Sequence, residues 1–136
     1  MDLDNRIVEE ARLWLGTPWH HNARLRGVGV DCVQFAMAVL EACGAPKKSY
    51  DNYYRQPKGN SLLDAIDELS YSSRTEEIKA GCILIFEIAG VPHHVAIATS
   101  ETTMIHADQR VGKVVEHSIG GWVRKLAAIY EVSIDG

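Results

Sequence analysis

Gly29-Val30-Asp31-Cys32-Val33-Gln34-Phe35-Ala36-Met37-Ala38-Val39-Leu40 is the stretch on which the fold turns. Asp31 suits the N-cap of a helix, because its carboxylate can accept from the unpaired N–H groups of the first turn. Val33, Ala36, Met37 and Leu40 then form an apolar stripe. Phe35 and Val39 widen that stripe to a second face, so this helix is expected to be central and mostly buried. Gly44 is placed to end it. Cys32 falls in the first turn, where unpaired N–H groups and the helix dipole favour a thiolate. The plainer reading of position alone is a small buried hydrophobe, which is what most unpaired cysteines are.

Towards the N-terminus, Ile7, Val8, Ala11, Trp14 and Leu15 repeat at the spacing of an amphipathic helix. Gly16-Thr17-Pro18 stops it, since proline turns the preceding residue away from helical geometry. The glycine-rich loop Gly27-Val28-Gly29-Val30 leads into Asp31. Residues 45–60 are polar, contain Pro46, Pro57 and Gly59, and are expected to form a long surface loop. Asn60 or Ser61 caps a short third helix carrying Leu62, Leu63, Ile66 and Leu69.

The character changes at Gly81. Runs at 82–86, 95–98, 103–105, 113–116 and 128–132 read as short strands between turn residues. Helices first and consecutive strands afterwards imply an α+β fold, N-terminal helices packed on a C-terminal antiparallel sheet, within one domain over 1–136.

With 136 residues, 46% hydrophobic and 24% charged, the chain can bury a core. A net charge of −4 gives no attraction to nucleic acid or to an anionic membrane surface. No signal peptide is visible, and no window approaches the ~20 apolar residues of a membrane span. Three cysteines cannot pair completely, which favours a reducing compartment and cytoplasmic synthesis, with any export by another route.

A thiol nucleophile needs a base, and a base needs an orienting partner. His94 opens the run Val95-Ala96-Ile97, and His106 closes Met104-Ile105. Adjacent antiparallel strands would bring both rings to one sheet edge facing the start of the cysteine helix, with His94 as base and His106 as orienter. His93 reads as a solvent-facing neighbour, His20 and His21 as loop residues near the cleft, and His117 as a surface residue. Cys43 and Cys82 read as core. No CxxC, HxxxH or HExxH spacing exists, so no metal or other cofactor is expected. The acidic residues are too scattered to show a glycosidase pair. Gly27-Val28-Gly29 lacks the lysine of a phosphate loop.

Five segments taken in order resemble the NlpC/P60 family: Leu15-Gly16-Thr17-Pro18-Trp19, Gly29-Val30-Asp31-Cys32-Val33-Gln34-Phe35, Gly81-Cys82-Ile83-Leu84-Ile85-Phe86, His94-Val95-Ala96-Ile97 and Ile105-His106-Ala107. The stretches Tyr54-Arg55-Gln56-Pro57 and Asn60-Ser61-Leu62-Leu63 look like the compact subgroup of phage tail and prophage modules. The resemblance implies a papain-like α+β fold, with Cys32 as nucleophile, His94 as general base and His106 as third polar residue. It makes Asp31 the acidic cap beside the nucleophile and puts Trp19 near the oxyanion site, where many members have tyrosine. The implied substrate is the stem peptide of peptidoglycan, cut between D-glutamate and the diamino acid. Val33 and Gln34 replace the usual serine and glycine, Cys82 a usual aspartate, and Ala80 a frequent proline, changes that bear on specificity. Two alternatives share the fold: an acyltransferase or amidase using the same thioester, and a non-catalytic phage tail-tip or wall-binding subunit. Phage tail proteins are then possible partners, and the virion tail or the cell wall a destination.

Overall fold

The computed structural model describes residues 2–47 and 61–134. Most of the expected 45–60 loop, the Asn60 cap and the 54–60 stretch lie outside the described residues.

Helix α1 (Leu3–Arg12) starts at Asp2, whose carboxylate accepts from the Asn5 N–H at 2.9 Å. It buries Ile7, Val8 and Ala11. The helix was expected to continue through Leu15, but the backbone tightens first. Leu13, Trp14 and Leu15 each donate to the carbonyl three residues back, and Gly16 leaves with φ +84°. The tightening keeps Trp14 in the core, edge-on to Phe35 with ring centroids 6.2 Å apart, and turns Leu15 outward to 45% exposure.

A short antiparallel pair, β1 (Arg24–Leu25) and β2 (Gly29–Val30), replaces the expected open glycine loop. Helix α2 (Cys32–Ala42) follows at once, capped by Asp31, and Gly44 ends it at φ +111°. Its buried residues include Phe35, Ala36, Met37, Val39 and Leu40, so it is the central helix the sequence implied. Helix α3 (Ser61–Asp67) buries Leu63 and Ile66.

The remaining strands are β3 (Ser72–Thr75), β4 (Ile83–Ile88), β5 (Val91–Ala98), β6 (Thr103–Asp108), β7 (Lys113–Ser118) and β8 (Leu126–Val132). They form one antiparallel sheet in the order β3-β8-β4-β5-β6-β7. Strand β3 was not anticipated, because Ser72-Ser73-Arg74-Thr75 has no apolar pattern and pairs only along the edge of β8. A 3₁₀ helix, Gly120–Lys125, links β7 to β8.

Alternation along the strands divides the core in two. Ile83, Ile85, Val95, Ile97, Ile105, Ala107 and Tyr130 belong to the cluster that includes the helices. Leu84, Phe86, Ala96, Ala98, Met104 and Ile129 form a smaller cluster on the opposite face, with Trp122 packed against it. Both faces of β4 to β6 are covered, which is why their sequences read as continuous apolar runs. Among the described residues, no helix is long and apolar enough to cross a membrane.

Candidate active site

The opening of the sheet at β5 and β6 creates the site. Gly81 donates to the Ala98 carbonyl and Ala98 to the Cys82 carbonyl, each at 2.8 Å. From His94 to Ala98 the even-numbered residues therefore turn their backbone groups towards β4, and the register shifts at His93, since Phe86 pairs with His94 and Glu87 with Pro92. Pairing with β6 is confined to Ile97↔Ile105 and Ala98↔Met104. Beyond these two pairs the ladder between β5 and β6 does not continue, which leaves room beside the 93–95 stretch of β5.

Cys32 fills the gap. Its Sγ lies 4.0 Å from the His93 carbonyl oxygen. The backbone N–H groups of Val95, Val33 and Cys32 itself also act on the sulfur, each favouring the thiolate. Burial is the larger effect and pushes the thiol up to about 12, with the Asp31 charge adding to the rise. The helix-start N–H groups act in the expected direction, but burial outweighs them at this thiol.

Asp31 is the cap that the sequence promised. One carboxylate oxygen accepts from the Gln34 N–H at 2.9 Å, and the other from the Asn22 N–H at 2.6 Å. The second bond holds the preceding loop, where Asn22 has φ 60° and His21 Nδ1 lies 3.8 Å from Asp31. Gln34, a departure from the family pattern, has a buried structural use. Its amide donates to Asn22 Oδ1 at 3.2 Å and accepts from Arg24 Nε at 2.7 Å, while Arg24 pairs with Glu41 at 2.6 Å.

His94 and His106 come together as expected, with His94 Nε2 2.6 Å from His106 Nδ1. Their rings share the sheet face away from the helices, where Phe86 packs beside His94, and His94 lines the same cleft as Cys32. His94 Nδ1 takes no hydrogen bond from any described residue, and no buried side-chain nitrogen among them lacks a partner, so this atom is open to the cleft. Burial drives His94 well below the ordinary histidine value, with His106, His93 and Arg110 adding repulsion. His106 is fully buried and lowered to about 4, again chiefly by burial, although Asp108 works the other way.

His117 corrects the sequence reading. It is not a free surface residue: its Nε2 lies 2.8 Å from His106 Nε2, and its Nδ1 lies 2.7 Å from the Ser118 carbonyl. The adjacency comes from the pairing of β6 with β7 and has no signature in linear spacing. Trp122, also missed, closes the outer side of this cluster, with centroids 5.3 Å from His94 and 5.4 Å from His106. Arg110 and Lys125 each sit 5.3 Å from the Trp122 ring.

His106, Asp108 and His117 are the described residues that best match a metal donor set, with ligand atoms within 4.8 Å of one another. Two ligands on a tetrahedral zinc, with bonds of ~2.05 Å, stand roughly 3.3 Å apart. The 2.8 Å between the two Nε2 atoms is instead a hydrogen-bond distance, and Arg110 adds a positive charge nearby. The set as folded does not fit a metal.

A cleft of about 330 Å³ joins these parts, lined by Trp19, Cys32, His93, His94, Asp108 and Trp122 among others. Trp19 is held by its N–H to the Gly112 carbonyl at 2.8 Å, and His21 also reaches the cleft, whereas His20 is exposed. Cys43 and Cys82 are buried in the core, as expected, and both thiols are raised, chiefly by burial.

An α+β chain with a half-buried thiol at a helix N-terminus, set against a histidine-bearing strand, is the class defined so far. Residues 16–130 match the NlpC/P60 family, and the chain belongs to that family. Its fold is shared with the NlpC/p60 domain of the peptidoglycan hydrolase SagA (24% identity, TM-score 0.67, covering 96% of this chain and 98% of that one). It is also shared with an NLP/P60-family protein from Staphylococcus aureus subsp. aureus Mu50, described as similar to lipoprotein (18%, TM-score 0.70, 99% and 43%). A third similar structure is the peptidoglycan hydrolase RipB from Mycobacterium tuberculosis (17%, TM-score 0.65, 98% and 66%). The chain therefore spans less than half of the S. aureus protein. No protein of curated function matches the sequence significantly.

Proposed function

We propose that this chain is a cysteine peptidase that hydrolyses the stem peptides of peptidoglycan, at the bond between D-glutamate and the diamino acid. One observation carries the reading. The Cys32 sulfur lies between the peptide groups on either side of His94, whose ring is in turn held by His106. Family membership and the peptidoglycan hydrolases among the similar structures supply the substrate class.

In this mechanism the free enzyme holds a neutral thiol and a neutral imidazole, each disfavoured as an ion on its own by burial. Proton transfer between them accompanies attack, so the charges form as a pair. The Cys32 S–H proton passes to His94 Nδ1 as the sulfur bonds to the carbonyl carbon. The resulting oxyanion is met by the Cys32 backbone N–H, with Trp19 beside it. His94 then gives its proton to the leaving nitrogen, the C–N bond breaks and a thioester remains. Water, losing a proton to His94, attacks the thioester and releases a carboxylic acid, and the proton returns to sulfur. His106 orients His94, and Asp31 holds the helix start.

The test is digestion of purified peptidoglycan with mass analysis of the fragments. Wild type is expected to release peptides that begin with the diamino acid, leaving muramic acid substituted by a dipeptide ending in D-glutamate, and Cys32→Ala to release none. Equal digestion by the variant would end the proposal. Fragments cut between muramic acid and L-alanine would make the protein an amidase, and products coupled to an added amine would make it an acyltransferase. An intact substrate with wild type would leave a wall-binding module.

A further inference from the structure

A neutral imidazole has one N–H and one lone pair, and the partner of one nitrogen decides the role of the other. Ser118 makes that decision for three rings in succession. A carbonyl oxygen only accepts, so the 2.7 Å contact from His117 Nδ1 to the Ser118 carbonyl puts the His117 proton on Nδ1. His117 Nε2 is then a lone pair, and the 2.8 Å bond it shares with His106 Nε2 must be donated by His106. His106 Nδ1 is left bare and accepts from His94 Nε2 at 2.6 Å. The chain ends at His94 Nδ1, a lone pair open to the cleft that Cys32 lines.

Reversing any ring would set two N–H groups or two lone pairs against each other in this packing, at a cost comparable to a lost buried hydrogen bond. The rings are edge-on, with centroids 4.8 Å apart in both pairs, and Trp122 covers two of them. Charges around the relay are Asp108, whose carboxylate is 4.0 Å from His106 Nε2, and Arg110; Lys125 lies on the far side of Trp122, and His93 neighbours His94.

We propose that His117, fixed by the Ser118 carbonyl, is a positioning residue that sets the tautomers of His106 and His94 so that His94 presents a bare Nδ1 to the Cys32 side of the cleft. Its consequence for turnover rests on the peptidase reading; the tautomer assignment does not.

Long-range ¹H–¹⁵N correlation on the whole wild-type chain, near neutral pH and without substrate, reads the tautomers directly. His94 and His106 are expected as Nε2–H and His117 as Nδ1–H. A His94 carrying its proton on Nδ1, or a His117 carrying it on Nε2, would overturn the relay. Three variants then separate polarity from packing. His117→Gln offers an amide oxygen as acceptor and is expected to keep kcat within about twofold, whereas His117→Leu loses roughly tenfold with KM unchanged. His117→Lys puts a donor against His106 Nε2, and is expected to drive the His94 proton to Nδ1 and to lower kcat further than leucine does. A merely structural His117 would leave the His94 tautomer unmoved in all three, which contradicts the proposal. The expected tautomers in a protein inert on peptidoglycan would uphold the relay and count against the peptidase reading; reversed tautomers in an active enzyme would overturn the relay alone.

Discussion

The two faces of the sheet solve different problems with the same strands. Beneath α2, Ile83, Ile85, Val95, Ile97 and Ile105 are at most 3% exposed and packed by shape alone. On the other face, Leu84, Phe86 and Met104 give way towards one end to His94, His106 and His117, which are held by donors and acceptors. Packing of apolar groups is non-directional and tolerates exchange of similar volumes, whereas buried polar groups cost energy unless each bond is made. The first face should therefore govern stability and the second should govern chemistry. Cys32 lies against the backbone of His93, on the stretch of β5 beyond its pairing with β6.

The comparison can be broken most sharply at His94. His94→Ala is expected to lower kcat/KM by roughly 10²–10⁴-fold, the range of a lost general base, while His93→Ala changes it little. Measured hydrolysis rates in the opposite order would place the base on the wrong histidine.

On the helix side, Phe35 is fully buried against Trp14. Phe35→Ala should cost about 3–5 kcal/mol of unfolding free energy, read from urea denaturation. The fraction that stays folded should keep near-normal kcat. A large kcat loss at full folding would show that the two faces are not separable.

A smaller effect tests the polar face as a contributor to stability. Folding lowers His106 from 6.5 to about 4 and lowers His94 as well, so between those values the unfolded chain binds more protons than the folded one. The stability these rings give is present above pH 6.5 and drains away as pH falls towards about 4. The melting temperature should decline over that window, and His106→Gln should flatten the decline. An equal slope in the variant would show that carboxylates alone carry it.

How much of this was legible depends on where the information lies. The Asp31 cap, the buried α2 and the Gly44 stop are local, and each follows from side-chain chemistry within one or two turns. The apolar runs of β4 to β6 were equally plain, because both of their faces are covered. Strand β3 was hidden, since an edge strand of serine, arginine and threonine carries no hydrophobic alternation. His117 was misread because its neighbour is set by the register Met104↔His117, which no spacing within one strand encodes. Trp122 was passed over for a similar reason: only the path of the 3₁₀ helix brings it over His94. The Cys32, His94 and His106 positions follow from a helix start and two strand ends, and the family resemblance points to the same three, whereas the short β5–β6 pairing beside the sulfur is visible only in three dimensions.

The central claim is a covalent one: the sulfur of Cys32 takes up the acyl group. Wild-type protein mixed with a muropeptide, quenched in acid within a turnover and digested, should show by mass spectrometry an acyl adduct on the peptide containing Cys32 and on neither Cys43 nor Cys82. Rapid hydrolysis with no adduct on Cys32 across the quench times, and undiminished turnover in Cys32→Ser, would contradict it.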